Sequence, residues 1–325
     1  MKKIVLLGML SLFLIVITGC SDKIATPENN EVKIGIMLSD TGLGDQSFSD
    51  LGFEGLEKAR DELNISFDYR EIEDTQTYEK GLEELIKTGN DLIIGLGFSI
   101  QKDMETIAKK YPEKSFLLVD AQSDLPNVYN VTFKEEEASF LLGAIAGMKT
   151  ATNVVGFVGG ENVPLIQKFE KGFVAGVKSE NPEAVVLTKY AGDFGNDKLG
   201  ESIAKEMISA KADFIYPAAG FTGVGAINES QRSGTYSFGV DSDQFYLAEK
   251  SVVSSMLKQV DVAIFNTIEE LVETGEISEK DQVLGIKENG VSLAPIRVLE
   301  LTPAEQNRLE KLQQDIAGGS ITIIQ

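Results

Sequence analysis

The sequence predicts a parallel α/β fold made of two doubly wound lobes that are joined by crossover hinge strands. From residue 32 onward, short apolar runs alternate with stretches whose apolar residues recur every three to four positions. The same alternation starts again near residue 131, and a later stretch resembles a return to the first unit. Two α/β units that are connected more than once leave a cleft, which can close by hinge motion.

The first half of the pattern predicts four strands and three helices. The strands are apolar runs that stop at polar residues or glycine, and the helices carry apolar side chains on one face. Ser47 to Asp50 predict a capping box at the start of the first helix. In order, the predicted elements are a strand at 32–38, a helix at 48–63, a strand at 67–70, a helix at 78–86, a strand at 91–95, a helix at 100–108 and a strand at 115–119.

The second half repeats this arrangement and then returns to the first. We assign 32–130 and about 243–275 to the first lobe, and 131–242 and about 276–325 to the second. The predicted strands are at 128–133, 153–158, 184–189, 213–216, 236–240, 252–256, 283–286 and 291–298, and the predicted helices at 138–148, 164–177, 199–207, 260–272 and 303–316.

The N-terminus has the pattern of a secretory signal, predicted at 1–19. Lys2 and Lys3 precede an apolar run at 4–17, which is short for a retained membrane span. The run ends at Cys20, the single cysteine of the chain, in a string that resembles the lipobox of bacterial lipoproteins. That resemblance implies a lipid on Cys20, with 20–31 as a flexible tether. An ordinary signal peptide with an incidental cysteine is the alternative.

The composition excludes several classes of function. Lys and Arg number 30 against 51 Asp and Glu, which gives a formal net charge of −21. Such an acidic surface disfavours nucleic acid and anionic lipid as partners. The chain has no histidine, so zinc, copper and haem sites lose their usual ligands, and we expect no cofactor or metal. These absences favour a binding protein over an enzyme.

Candidate ligand-binding residues follow the predicted strands, because ligands of open parallel sheets bind beyond the carboxyl ends of the strands. Carboxylates recur at these positions, and a carboxylate can accept two hydroxyl hydrogen bonds from a sugar diol. Phenylalanines occur in two of the loops and offer flat faces for an aromatic base. The candidate loops are 40–48, 97–98, Asp120, 159–160, 217–223 and 241–243.

Five segments, taken in order, resemble the basic membrane protein family of lipoproteins, the substrate-binding components of nucleoside ABC importers. The resemblance spans roughly 32–300 and implies a type I periplasmic-binding-protein fold, with a purine nucleoside between the lobes and permease subunits as partners. It places the protein on the extracytoplasmic face of the cell membrane. The segments are 40–48 (DTGLGDQSF), 116–120 (FLLVD), 218–225 (AAGFTGVG), 239–244 (GVDSDQ) and 254–261 (SSMLKQVD).

The resemblance also implies roles for individual residues. Phe48 and Phe221 would sandwich the base, and Asp241 and Lys258 would hold the ribose hydroxyls. The remaining residues that it implies, near the base or ribose edge or within the matching segments, are Asp40, Asp45, Ser47, Asp120 and Gly239. The chain departs from the family at Ser49, where asparagine is usual.

Each of these roles has a structural alternative. Asp40 and Asp45 are also typical of turn and helix caps, and Phe48 of core packing. Lys258 is equally consistent with a solvated surface residue. Asp241 and Asp243 alternate along an extended stretch, so one of them, which we take to be Asp241, faces the cleft.

The function has two alternatives as well. A lipoprotein with the same fold can sense a solute or regulate a protein partner without importing anything. Paired carboxylates can also cleave nucleosides, which makes an extracellular nucleoside hydrolase the third hypothesis.

Overall fold

The fold is described by a computed structural model, which covers residues 31–323. The predicted signal segment, Cys20 and the tether up to residue 30 lie outside the described residues. Between residues 31 and 323, none of the helices combines the length and apolarity that crossing a membrane requires.

The elements alternate between strand and helix along almost the whole of the described chain, which confirms the predicted α/β class. The strands are β1 (Val32–Met37), β2 (Ile65–Arg70), β3 (Leu92–Leu96), β4 (Ser115–Val119), β5 (Val128–Phe133), β6 (Val154–Gly159), β7 (Val185–Tyr190), β8 (Phe214–Ala218), β9 (Tyr236–Asp241), β10 (Val252–Lys258), β11 (Asp281–Leu284) and β12 (Val291–Leu293). The helices are α1 (Phe48–Glu62), α2 (Ile72–Thr75), α3 (Tyr78–Lys87), α4 (Gln101–Lys110), α5 (Glu135–Lys149), α6 (Pro164–Glu180), α7 (Asp197–Ser209), α8 (Gly220–Ser233), α9 (Val260–Thr274) and α10 (Pro303–Ala317).

The strands form two six-stranded sheets. The first has the order β11-β5-β4-β3-β1-β2 and the second β12-β10-β9-β8-β6-β7. All neighbouring strands of the first sheet are parallel, whereas β12 of the second runs antiparallel to β10. The central strands β3 and β8 are buried along their whole length, as expected for parallel strands covered by helices on both faces.

The two sheets exchange chain segments at different places from those we expected. Residues 243–275 were assigned to the first lobe, but β10 pairs with β9 in the second sheet. The return begins only at α9, which packs on α1, and continues through β11, which pairs with β5. The expected boundaries of the return were therefore wrong at both ends. An apolar run predicts a strand but carries no information on which sheet the strand joins.

Three smaller differences concern single elements. The last predicted strand stops at Leu293 and does not continue to residue 298, the helix α8 lies where we expected a loop at 217–223, and the short helix α2 was not predicted. Four residues are too few for a helical period to be visible in the sequence.

Helices α5 and α6 pack closely on each other through glycines. A Cβ added to Gly143 would lie 2.1 Å from the carbonyl oxygen of Phe173, and one added to Gly176 would lie 1.9 Å from that of Phe140. The two backbones therefore touch, which side chains larger than hydrogen would prevent. The contact fixes α5 and α6 against each other, and the first turns of α6 line the cavity described next.

Candidate functional site

A cavity lies where the carboxyl ends of the strands of the two sheets face each other. Its lining comes from the segments that follow β1, β3 and β4 of the first sheet. From the second sheet it comes from the segments that follow β6, β7 and β8 and from the last residues of β8, β9 and β10. This is the position at which ligands bind to open parallel sheets. The lining residues are Ser39, Asp40, Thr41, Asp45, Ser47, Phe48, Gly97, Phe98, Ser99, Asp120, Leu165, Ile166, Phe169, Phe194, Ala218, Ala219, Gly220, Val240, Asp241 and Lys258.

Direct bonds join the two sides of the cavity. Lys258 Nζ lies 2.5 Å from Asp120 Oδ2, and the Ser47 hydroxyl donates to Asp241. At the rim, the side-chain amide of Gln244 donates to the backbone carbonyl of Gln46 at 3.0 Å. In each pair one residue belongs to the first half and the other to the second, so the structure is a closed form of the cleft.

Lys258 carries the positive charge of the cavity, and its side chain is 1 % exposed. Besides Asp120, its ammonium faces Glu135 Oε1 at 3.1 Å. Burial lowers the pKa of Lys258, but the negative charges of Asp120, Glu135 and Asp241 outweigh it and raise the pKa above its usual value. Lys258 is therefore a cation, and the alternative of a solvated surface lysine is wrong.

Three aromatic rings surround the same ammonium. Its nitrogen lies 5.1 Å from the ring centre of Phe48, 5.0 Å from that of Phe133 and 5.7 Å from that of Phe169. These distances are in the range of cation–π attraction. Phe48 is half-buried and packs against the core, and it also lines the cavity beside the lysine.

The backbone is strained at the two acids that follow β4 and end β9. Asp120 has φ +68° and Asp241 has φ +64°, a left-handed conformation that side chains other than glycine rarely adopt. In both places the turn directs a carboxylate into the cavity. Such strain at a cleft is typical of functional sites.

Asp120 has one oxygen that is not used by the described protein atoms. Its Oδ2 meets Lys258, but its Oδ1 is buried and has no hydrogen-bond partner among residues 31–323. Burial raises the pKa of Asp120 to about 6, against the lowering effect of Lys258. A buried acceptor without a donor is costly, so this oxygen is the natural contact for a ligand hydroxyl or N–H group.

Asp45 caps α1, and the predicted capping box is wrong. The Ser47 side chain makes no cap bond, because its hydroxyl donates to Asp241. Asp45 accepts the backbone N–H groups of Ser47, Ser49 and Asp50 at 2.9, 2.8 and 3.2 Å. Burial raises the pKa of Asp45 to about 6, although these N–H groups lower it. The structural alternative for Asp45 therefore holds, and the residue lines the cavity as well.

Asp40 lies at the mouth of the cavity and caps no helix. Its carboxylate accepts the Tyr78 hydroxyl and, at 3.2 Å, the Ser99 hydroxyl. Partial burial raises the pKa of Asp40, and the bond from Ser99 offsets part of that rise. Both partners belong to the first half, so Asp40 is held in place whether or not the cleft is closed.

Asp241 and Asp243 point in different directions, as their alternation predicts. Asp241 lines the cavity, whereas Asp243 pairs with Arg297 at 2.9 Å and is not among the lining residues.

Comparison with known proteins places the chain in a family. The model of the Bmp family, described as ABC transporter substrate-binding protein PnrA-like, matches residues 32–325. The chain belongs to this family. The family is one of substrate-binding proteins and not of enzymes, and its members take a small-molecule ligand and a permease as partners.

Similar proteins agree with that membership. The chain is 31% identical over 323 residues to basic membrane protein D of Borreliella burgdorferi, covering 96% of the chain and 93% of that relative. It is 29% identical over 330 residues to the ABC transporter nucleoside-binding protein BmpA of Lactococcus lactis, covering 94% and 92%. A crystal structure of an ABC transporter solute-binding protein from Aeropyrum pernix matches with a TM-score of 0.82 at 26% identity, covering 90% and 93%. The fold is that of the periplasmic binding proteins.

Two of the expected site residues of this substrate-binding protein do not line its cavity. Phe221 is half-buried in the first turn of α8, and it is its neighbour Gly220 that reaches the cavity. Gly239 is buried in β9, where an added Cβ would lie 2.2 Å from the Ser255 hydroxyl. The structure therefore corrects both placements.

The sequence analysis missed residues that line this Bmp-family cavity, and one acid that pairs with its lysine without lining it. Phe194 contributes a ring from the second half and lies 6.3 Å from Phe98, centre to centre, across the cleft. Phe194 occupies a glycine-flanked loop directly after β7, so the rule of strand ends could have found it. Glu135 follows β5 in a run of three glutamates, a signal that we did not use.

Proposed function

We propose that the protein is a lipid-anchored receptor that binds a purine nucleoside in the cleft and presents it to an ABC permease. The buried, unpartnered Oδ1 of Asp120 carries the proposal, since it calls for a ligand that brings a hydrogen-bond donor into a closed cleft. The name of the Lactococcus relative, a nucleoside-binding protein, supports the ligand class.

The aromatic rings suit the base of such a ligand. Phe48 and Phe98 line the cavity from the first half, and Phe169 and Phe194 from the second. Rings on both walls allow a planar base to stack when the halves close, and stacking adds about 0.5–1.5 kcal/mol per pair beyond the buried area. Phe194 takes the role for which Phe221 was expected.

The charged groups suit a ribose. Carboxylates accept hydroxyl donors, and Asp241 and Lys258 hold the ribose hydroxyls in this proposal, with Asp120 at the base or ribose edge. Charged hydrogen bonds of this type contribute about 1.5–3 kcal/mol each.

The charge of the lining also argues against phosphorylated ligands. Asp40, Asp45, Asp120 and Asp241 line the cavity against one lysine, Lys258. A phosphate group would meet a surplus of negative charge there, so the proposed ligand is the nucleoside and not the nucleotide.

Calorimetry tests the ligand class. We expect inosine, guanosine or adenosine to bind the full-length protein with a Kd of about 1 μM or tighter, and inosine 5′-monophosphate to bind at least about tenfold more weakly than inosine. Ribose and the free base serve as controls for each half of the ligand. Binding of a sugar or another solute in the absence of any nucleoside binding would contradict the proposal.

The lipid anchor is a separate part of the proposal and rests on Lys2, Lys3 and the string ending at Cys20. Fractionation of cells that express the wild-type chain or Cys20→Ala tests it. The wild type is expected in the membrane fraction, labelled by radioactive palmitate. Cys20→Ala is expected to lose the label, and a label retained by this variant would contradict the anchor.

A further inference from the structure

Glu135 is a fully buried carboxylate that does not line the cavity. It is the first residue of α5, two positions after the end of β5, where the chain crosses from the first sheet to the second. Burying a carboxylate is unfavourable unless cations compensate it. The surroundings of Glu135 therefore indicate what the residue is for.

Two lysines compensate Glu135, one on each oxygen. Oε1 lies 3.1 Å from Lys258 Nζ, and Oε2 accepts a hydrogen bond from Lys168 Nζ at 3.1 Å. Lys168 also donates to the backbone carbonyl of Phe133 at 2.9 Å, and its side chain is 27% exposed against 1% for Lys258. Lys168 thus supplies a hydrogen bond to Glu135, whereas Lys258 supplies a charge that is screened less by water.

The two acids that face Lys258 belong to different halves. Asp120 follows β4 of the first sheet, so its bond to Lys258 crosses the cleft. Glu135 begins α5, which packs on β10, the strand that ends at Lys258. We therefore expect opening of the cleft to separate Lys258 from Asp120, whereas Glu135 lies on a helix that packs on the strand of Lys258.

We propose that Glu135 is the positioning residue of the cleft lysine: it holds the Lys258 ammonium in place when Asp120 is withdrawn or engaged by a ligand. The inference rests on the proposed function, because it takes Lys258 as a ligand-binding group. Without Glu135, the direct ion pair that remains to Lys258 among residues 31–323 is the one with Asp120, the acid that the ligand also contacts, while Asp241 still contributes negative charge.

The test compares Glu135→Gln with Lys168→Gln in the full-length protein. Calorimetry measures the affinity for inosine, and ¹H–¹⁵N spectroscopy follows the Lys258 ammonium, whose signal is identified by its loss in Lys258→Arg. Glu135→Gln is expected to shift that signal and to weaken inosine binding about tenfold, the loss of about one charged contact. Lys168→Gln, which removes the other partner of Glu135, is expected to leave the signal in place and the affinity within about twofold.

The outcomes separate this inference from the proposed function. An unshifted ammonium signal in Glu135→Gln overturns the inference. Equal effects of the two variants also overturn it, because they would show that Glu135 stabilises the crossover segment and does not position Lys258. The signal is recorded without nucleoside, so failure of the wild type to bind inosine contradicts the proposed function and leaves this readout intact. If Glu135→Gln does not fold, Glu135→Asp replaces it, and a smaller shift of the ammonium signal is expected. An unchanged signal and an unchanged affinity in Glu135→Asp again overturn the inference.

Discussion

The two walls of the cleft come from sheets of the same topology, yet they differ in chemistry. The first wall is mainly polar, with Asp40, Asp45, Ser47 and Asp120 among its residues. The second is mainly apolar, and Asp241 and Lys258 are its charged exceptions. Closure therefore sets hydrogen-bonding groups against rings and aliphatic side chains. A ligand with a flat apolar face and a polar edge fits such a pair of walls.

Asp120 and Asp241 occupy equivalent places in the two sheets. Each stands at the end of the fourth strand from one edge, which is β4 counted from β2 and β9 counted from β7. Each acid reaches across to the opposite wall, Asp120 to a lysine and Asp241 to the Ser47 hydroxyl. A charged pair is stronger than a single bond to a neutral group, particularly when it is buried. The same backbone turn thus positions an acid for a charged pair across the cleft in one half, and for a hydrogen bond to a neutral hydroxyl in the other.

Removing the cation should produce the largest effect. Lys258→Met leaves Asp120 and Glu135 buried without their shared partner, and breaking a buried pair in this way costs about 3–5 kcal/mol. Chemical denaturation at pH 7 measures the loss in free energy of unfolding. Lys168→Met, the matched control at a more exposed lysine, is expected to cost about 1 kcal/mol. Equal losses in the two variants would contradict the central role of Lys258.

The polar wall should also determine a pH effect. The pKa of Asp45 is raised from 3.8 in the unfolded chain to about 6 in the folded one. Folding thus favours the protonated form, so this contribution to stability is complete below pH 4 and is lost as the pH rises through 6. It amounts to at most about 3 kcal/mol.

Asp45→Asn removes that titration. The free energy of unfolding of the variant minus that of the wild type should therefore be more positive at pH 7 than at pH 4. Denaturation at both pH values measures this difference. A difference between Asp45→Asn and the wild type that does not depend on pH would refute the prediction.

The two equivalent acids should differ in their effect on nucleoside affinity. Asp120→Asn removes the negative charge and leaves one acceptor oxygen for two contacts, the pair with Lys258 and the ligand. It is expected to weaken inosine binding about ten- to a hundredfold. Asp241→Asn is expected to weaken it about three- to tenfold. Calorimetry ranks the two, with Asp243→Asn as the control within about twofold. If Asp241→Asn has the larger effect, the charged pair of Asp120 with Lys258 is not what distinguishes the halves.

Removing one aromatic ring from the apolar wall should have the smallest effect. Phe194→Leu keeps an apolar side chain but removes the flat face, so we expect inosine to bind about three- to tenfold more weakly. Phe221→Leu is expected to stay within about twofold, because Phe221 does not line the cavity. A larger loss in Phe221→Leu would restore the sandwich that the sequence alone suggested.

Much of the fold was available from the pattern of apolar residues. The runs that became β3 and β8 are continuous and bounded by polar residues or glycine, and parallel strands buried on both faces require this. The membership of β10 and β11 was not available, because it depends on backbone pairing with distant strands and not on any local period. The site was found in part by the same rule, as the acids at Asp120 and Asp241 stand at strand ends.

The sequence by itself determined the α/β class, the family and the chemistry of the strand-end acids, since these depend on residue type and local spacing. The tertiary structure alone decided which rings face the cleft, which oxygen of Asp120 lacks a donor, and that Glu135 meets Lys258. Those facts depend on how two sheets, far apart in the chain, are brought together, and no local pattern encodes that distance. Long-range contact therefore converts a series of strand-end acids into one closed binding site.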